Sequence, residues 1–191
     1  MADERQVFMR RPTLDGLPPL PPLPPRHELR RATAHDADGL AAVLASAFGP
    51  EWTADRVREA LLDAPDVETT FLIEVDGTPI ATAAARLLPE RYPGSGYLHW
   101  VGVHAAHRGR GLGRAVVLAV LDRFRALGCR DAVLETDPPR LPAIRVYLDL
   151  GFHPEPRAPE DDARWRGILD RLTDRGHGRG DPATARSGTL P

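Results

Sequence analysis

His107-Arg108-Gly109-Arg110-Gly111-Leu112-Gly113 lies between an apolar run, Tyr97 to Val103, and a longer apolar-periodic run that ends at Leu127-Gly128. The first run reads as a strand and the second as a helix. A glycine-rich turn placed there gathers backbone N–H groups at a helix N-terminus, where the helix dipole favours an anion. Arg108 and Arg110 add fork-shaped donors suited to phosphate oxygens.

Two common phosphate loops fail on the letters. A Walker A loop closes on Gly-Lys-Ser/Thr, and all 25 basic residues of this 191-residue chain are arginine. A dinucleotide fingerprint needs GxGxxG, and Arg114 stands where its third glycine belongs. Glu135 does sit at the end of the next strand, where a ribose-binding acid would, but too little chain follows for the remaining βαβ units.

Working outward from the loop, Phe71, Ile73 and Val75 alternate with polar or small residues, Asp76-Gly77 supplies a turn and Pro79 to Leu88 returns as a hairpin. Upstream, Glu28 to Ala32 reads as a short strand, and Leu40, Val43, Leu44 and Phe48 mark a helix. Thr53 is placed to cap a second helix through Val57, Leu61 and Leu62. Downstream come a strand, Ala132 to Thr136, a helix, Pro142 to Leu150, and a stretch from Phe152 that pairs back onto the sheet. Strands and helices alternate around a mixed sheet, so the expected class is α/β or α+β in one layered domain spanning 27–173.

The flanks read differently. Residues 12–25, PTLDGLPPLPPLPP, favour extended polyproline II, so 1–26 is expected to be a disordered proline-rich leader. Residues 174–191 are expected to be a disordered tail.

Composition narrows the function classes. With 42% hydrophobic and 27% charged residues, the chain can bury a core. A formal net charge of -2 supplies no global field toward nucleic acid or an anionic membrane, so neither partner is expected. No apolar run approaches the roughly 20 residues of a membrane span. Cys129 has no second cysteine to pair with, and a cytoplasmic location is expected. His99, His104 and His107 match no compact ligand spacing, so no metal is expected.

These residues resemble the GNAT superfamily of N-acetyltransferases. The family's central motif is a strand followed by Arg/Gln-x-x-Gly-x-Gly/Ala and a helix, matched by Trp100 to Val103 and Arg108 to Gly113. A later motif is matched by Ala143, Tyr147 and Gly151-Phe152, and RRATAHDADGLAAVL is similar to the family's first strand and helix. The resemblance covers about Leu29 to Phe152. It implies a mixed, mostly antiparallel sheet flanked by helices, with the parallel strands Tyr97 to His104 and Ala132 to Thr136 splayed to hold acetyl-CoA.

By that resemblance, backbone groups of Trp100, Val101, Gly102 and Val103 pair with the pantetheine arm, and Arg108, Gly109, Arg110, Gly111, Leu112 and Gly113 hold the pyrophosphate. Arg140 takes the place of a family asparagine that contacts pantetheine, which alters that contact. The implied reaction is direct attack of a primary amine on the thioester, the alternative being a catalytically silent acyl-CoA-binding module. Tyr147 occupies the family's position for protonating the departing thiolate.

His99, an imidazole titrating near 6.5 on the strand beside the thioester, is the first candidate base, and Glu135 is the second. Strand alternation puts His99 and Trp100 on opposite faces. The acceptor is a small-molecule or peptide amine, held by the loops Phe48 to Ala64, Leu88 to Gly96 and the segment after Phe152, with Trp52 and Trp165 as candidate lining. A homodimer is compatible with this reading.

Overall fold

The computed structural model describes residues 5–177; the C-terminal part of the expected tail, 178–191, lies outside the described residues. Seven strands form one sheet: β1 (Val7–Arg11), β2 (His27–Arg31), β3 (Val67–Val75), β4 (Thr78–Leu87), β5 (Ser95–Val103), β6 (Asp131–Thr136) and β7 (His153–Pro154). Their order is β2-β3-β4-β5-β6-β1-β7. Every pairing is antiparallel except β5 with β6. The helices are α1 (Ala37–Phe48), α2 (Ala54–Val57, running into a π-turn at Arg58–Leu62), α3 (Leu112–Ala126), α4 (Leu141–Asp149) and α5 (Pro159–His177).

Local sequence explains most of these elements. Asp76 and Gly77 both take positive φ, the requirement of a two-residue turn that matches strand twist, and they close the β3–β4 hairpin. The Thr53 side chain accepts from the Arg56 amide at the start of α2. α3 buries Ala115, Val116, Val117, Val120, Leu121 and Phe124 against one face of the sheet. Phe124 lies so close to β5 that a Cβ on Gly96 would sit 2.3 Å from its ring, which explains the glycine there. α1 and α2 cover the other face with Leu40, Leu44, Trp52, Val57 and Leu61.

The expected leader needs correction. Val7–Arg11 is a strand inside the sheet, paired with β6 from Val7↔Thr136 to Arg11↔Ala132 and with β7 on its other side. Val7 and Met9 enter the core on the α3 face, and Phe8 packs with Tyr92 on the opposite face. The charges that masked it are held by distant partners: Arg10 pairs with Asp131 and Glu155, and Arg11 donates to Leu150 O at the end of α4. The proline-rich segment is folded onto the domain too, because Leu14 is buried and Leu17 and Leu23 pack on the core. The chain also stays helical past Thr173, through the end of α5 at His177.

Candidate functional site

β5 and β6 pair only at Ser95↔Asp131, Gly96↔Ala132 and Tyr97↔Val133, and then part. Beyond Tyr97 one edge of β5 therefore lacks a neighbouring strand. β5 also carries a bulge at this point, since Ala84 pairs with His99 and Thr82 with Gly102, leaving Trp100 and Val101 opposite Ala83. Trp100 takes a φ of 46, in the left-handed region. The extra residue breaks strand alternation and corrects the expectation drawn from it. The rings of His99 and Trp100 stand 4.5 Å apart on the α1 side, while Val101 and Val103 turn to the α3 side.

Where the strands part, a cleft of about 690 Å³ opens, lined by Val101 and Val103, by Arg108, Gly109, Gly111, Leu112, Gly113 and Arg114, and by Arg140, Ala143 and Tyr147 of the α4 wall. Gly111 caps α3 with φ 77, which a side chain rarely tolerates. The first-turn amides of the fifteen-residue α3 have no acceptor within their own helix. No carboxylate lines this cleft. An unpaired strand edge, free helix amides and an all-positive lining fit an extended amide chain ending in phosphates.

Two arginines reach the open edge of β5. Arg140 donates to Val101 O at 3.1 Å with its guanidinium 4.1 Å from the Phe48 ring centre, and Arg108 donates to Val103 O and to Ser46 O at the end of α1. Arg110 donates to Ala106 O and does not line the cleft. Trp100 and Gly102 do not line it either: Trp100 packs edge-on against Phe48 and Trp52, and Gly102 lies under Ala47, Phe48 and Leu44 of α1. Tyr147 is 5% exposed and packs against Phe152, and burial pushes its hydroxyl up to about 12, with Arg140 pulling the other way.

A second cleft, of about 630 Å³, lies on the α1 side of the sheet and is lined by Gln6, Asp66, the run Arg86 to Arg91, Tyr97, His99 and Glu135. His99 is pushed down to about 4, first by burial and next by the Arg86 guanidinium, against the pull of Asp66. It is therefore neutral throughout the physiological range. Glu135 accepts from Arg91 at 2.7 Å, Tyr92 at 3.1 Å and Tyr97 at 3.2 Å, and the Tyr97 ring stacks on His99 with centroids 5.0 Å apart. Tyr97 itself is raised above the ordinary tyrosine value, mainly by burial and then by Glu135.

The candidates thus divide between two clefts, Tyr147 and the glycine loop in one, His99 and Glu135 in the other. Trp52 and Trp165 are buried packing residues of the two cores and line neither. Sequence reasoning missed Gln6, Asp66, Arg86 and Tyr97. Only Tyr97 carried a signal, because it lies two residues before His99 and shares its face.

Comparison with known proteins agrees with this geometry. Residues 37–152 match the model of the acetyltransferase (GNAT) family. A mycothiol acetyltransferase of Actinosynnema mirum is 39% identical over 161 residues, which cover 78% of this chain and 52% of that protein. N-acetyltransferase 8B of Rattus norvegicus is 39% identical over 69 residues, 34% of this chain and 31% of that one. The chain thus spans about half the length of the first of these relatives and less of the second. Among solved structures, a GCN5-related N-acetyltransferase from Sphaerobacter thermophilus superposes with a TM-score of 0.63 at 25% identity, over 80% of this chain and 49% of that one. An aminoglycoside N-acetyltransferase in complex with CoA superposes at 0.60 and 22% identity, over 71% and 95%, which is a likeness of fold.

Proposed function

Because the chain belongs to the acetyltransferase (GNAT) family, we propose that it transfers the acetyl group of acetyl-CoA to a primary amine by direct attack. The observation that carries this reading is the parting of β5 from β6 beyond Tyr97, together with a cleft on one face whose charged side chains include three arginines and no carboxylate and which holds Tyr147, and a mixed-charge cleft on the other holding His99 and Glu135. Acetyl-CoA, a substrate here, supplies the activated acyl group. Amides of Gly109 to Gly113 and the Arg108 guanidinium are assigned to its pyrophosphate, with Arg110, turned away to Ala106 O, contributing through its backbone alone, and the open edge of β5 from Trp100 to Val103, with Arg140 opposite, is assigned to its pantetheine arm.

The acceptor amine enters from the side of His99 and Glu135. An alkyl ammonium with a pKa near 10 must lose a proton before it attacks. His99 receives it, either directly or through water, as an imidazole that is unprotonated at neutral pH and correspondingly weak as a base. Glu135, with three donors already on it, fixes Tyr97 beneath His99 and offers its remaining lone pairs to the amine. Tyr147 hydrogen-bonds the departing sulfur from the other cleft. The name of the Actinosynnema mirum relative makes the acceptors of mycothiol acetylation the first to screen.

Calorimetry with acetyl-CoA, followed by an amine screen read by thiol release, tests the reading. Micromolar binding and turnover with one amine class are expected. No heat and no thermal shift at millimolar acetyl-CoA would sink it, and binding without turnover on any amine would assign the silent acyl-CoA-binding alternative.

A further inference from the structure

Arg140 occupies an unusual place. It is half-buried at the N-cap of α4, seven residues before Tyr147 and so two turns from it along one helix face. Its guanidinium crosses to β5, bonds Val101 O and lies over Phe48. Arg10, Arg30, Arg86 and Arg123 pair with carboxylates, whereas Arg140 bonds a neutral carbonyl, as Arg108 does at the glycine loop, so no bonded acid offsets its charge in the cleft. It stands at the Tyr147 end of the cleft, while Arg108 and Arg114 belong to the glycine-loop end.

We propose that Arg140 is a catalytic residue for the leaving group, its guanidinium stabilising the negative charge that gathers on the coenzyme A sulfur as the thioester breaks. This deepens the acetyl-transfer reading and rests on it. The step balances simply. The neutral amine nitrogen forms the new bond to the acyl carbon, the carbon–sulfur pair leaves on sulfur, the proton that nitrogen sheds on becoming an amide leaves by the His99 side to solvent, and a solvent proton reaches sulfur once the thiolate has departed. No oxidant or further reactant is needed.

The chemistry favours such a cation. A thiol is a stronger acid than a phenol, and burial raises the Tyr147 hydroxyl further, up to about 12. Full transfer from tyrosine to thiolate is then uphill, so Tyr147 is better suited to donating a hydrogen bond to the sulfur than to discharging it. A guanidinium can hold that charge without giving up a proton. The bond to Val101 O is also one that an added strand would replace, which frees Arg140 to turn along the cleft when pantetheine pairs with β5. The other charged or titratable groups facing the cleft are His107, Arg108, Arg114 and Tyr147, and Asp137 acts on Tyr147 from beside it.

The test is the thiol pKa of bound coenzyme A, read from the pH dependence of its alkylation by iodoacetamide with protein in saturating excess. A Cys129→Ser background leaves the coenzyme as the one thiol present. The bound thiol is expected about one pH unit or more below that of free coenzyme A, the scale of a single opposite charge within contact distance. Arg140→Lys should retain most of the lowering, and Arg140→Gln should abolish it at full coenzyme occupancy, established by calorimetry. A bound thiol that titrates like free coenzyme A in the parent protein overturns the assignment without any variant. So does a lowering that survives Arg140→Gln. Either result leaves the acetyl-transfer reading standing, whereas coenzyme A that fails to bind the parent protein removes both.

Discussion

The cleft proposed for acetyl-CoA is walled largely by the glycine loop, apolar side chains and arginine, whereas the cleft proposed for the amine is walled by side chains that already pair with one another, Asp66 with Arg86 and Glu135 with Arg91. A backbone wall grips whatever repeats an amide-and-phosphate pattern, and it depends on where glycines stand. A side-chain wall is specific and collects its members from wherever the chain passes. On the proposed reading, the same sheet builds one surface suited to a common substrate and one suited to a particular amine.

The comparison breaks most sharply at Tyr147. Tyr147→Phe should leave acetyl-CoA affinity within about twofold while turnover falls about 10²-fold, the usual scale of losing one hydrogen-bond donor to developing negative charge, with initial rates and calorimetry as the paired readouts. Unchanged turnover in a stable variant would make Tyr147 a packing residue. Gly111→Val attacks the backbone wall. Forcing φ 77 on a β-branched residue costs about 1–3 kcal/mol, so acetyl-CoA affinity should drop roughly tenfold or more while the acceptor KM stays put.

Glu135→Gln sharpens the contrast from the other side. It loosens the hold on Tyr97 and Arg91, so the acceptor KM should rise about fivefold, on the order of 1 kcal/mol, with donor affinity unaltered. A change in the donor constant of similar size would mean that the two clefts are not independent.

The smallest effect concerns His99 and stability. Its pKa falls from near 6.5 unfolded to about 4 folded, so between those values the unfolded chain binds the extra proton and stability declines as pH drops. Replacing His99 with Gln should remove part of that decline, raising Tm at pH 4.5 relative to the parent by about 2–4 °C per kcal/mol recovered. An identical pH profile in the variant would show that His99 is not desolvated as its surroundings indicate.

The residues lining the Tyr147 cleft were largely legible in the sequence because the strand, the Arg108 to Gly113 loop and Tyr147 fall in or beside two short motifs, although Trp100, Gly102 and Arg110 of those motifs do not line it. The acceptor cleft was not. Gln6, Asp66, Arg86, Tyr97 and Glu135 come from five separate segments, and no local pattern brings them together. The bulge at Trp100 also escaped notice, because nothing in Tyr97 to Val103 marks the residue that will take the left-handed conformation.

β1 was hidden by Arg10, Arg11 and Pro12, which read as a solvated flank until Asp131, Glu155 and Leu150 O are seen to meet them. α5 had a signal that went unread. Trp165, Ile168 and Leu172 repeat at helical spacing within a strongly charged segment, and all three are buried.

The insertion of β1 between β6 and β7 bears on how the molecule is made. Translation delivers Val7 to Arg11 well before the strands on either side of them, so this apolar segment waits on the nascent chain until Thr136 and then His153 have emerged. Such pairing of distant segments slows folding and leaves an unpaired strand open to other chains meanwhile. The leucine-and-proline stretch that follows β1 is poorly suited to joining a foreign sheet, since proline offers no amide to a ladder. It shortens the exposed sticky length to the five residues that the finished sheet requires.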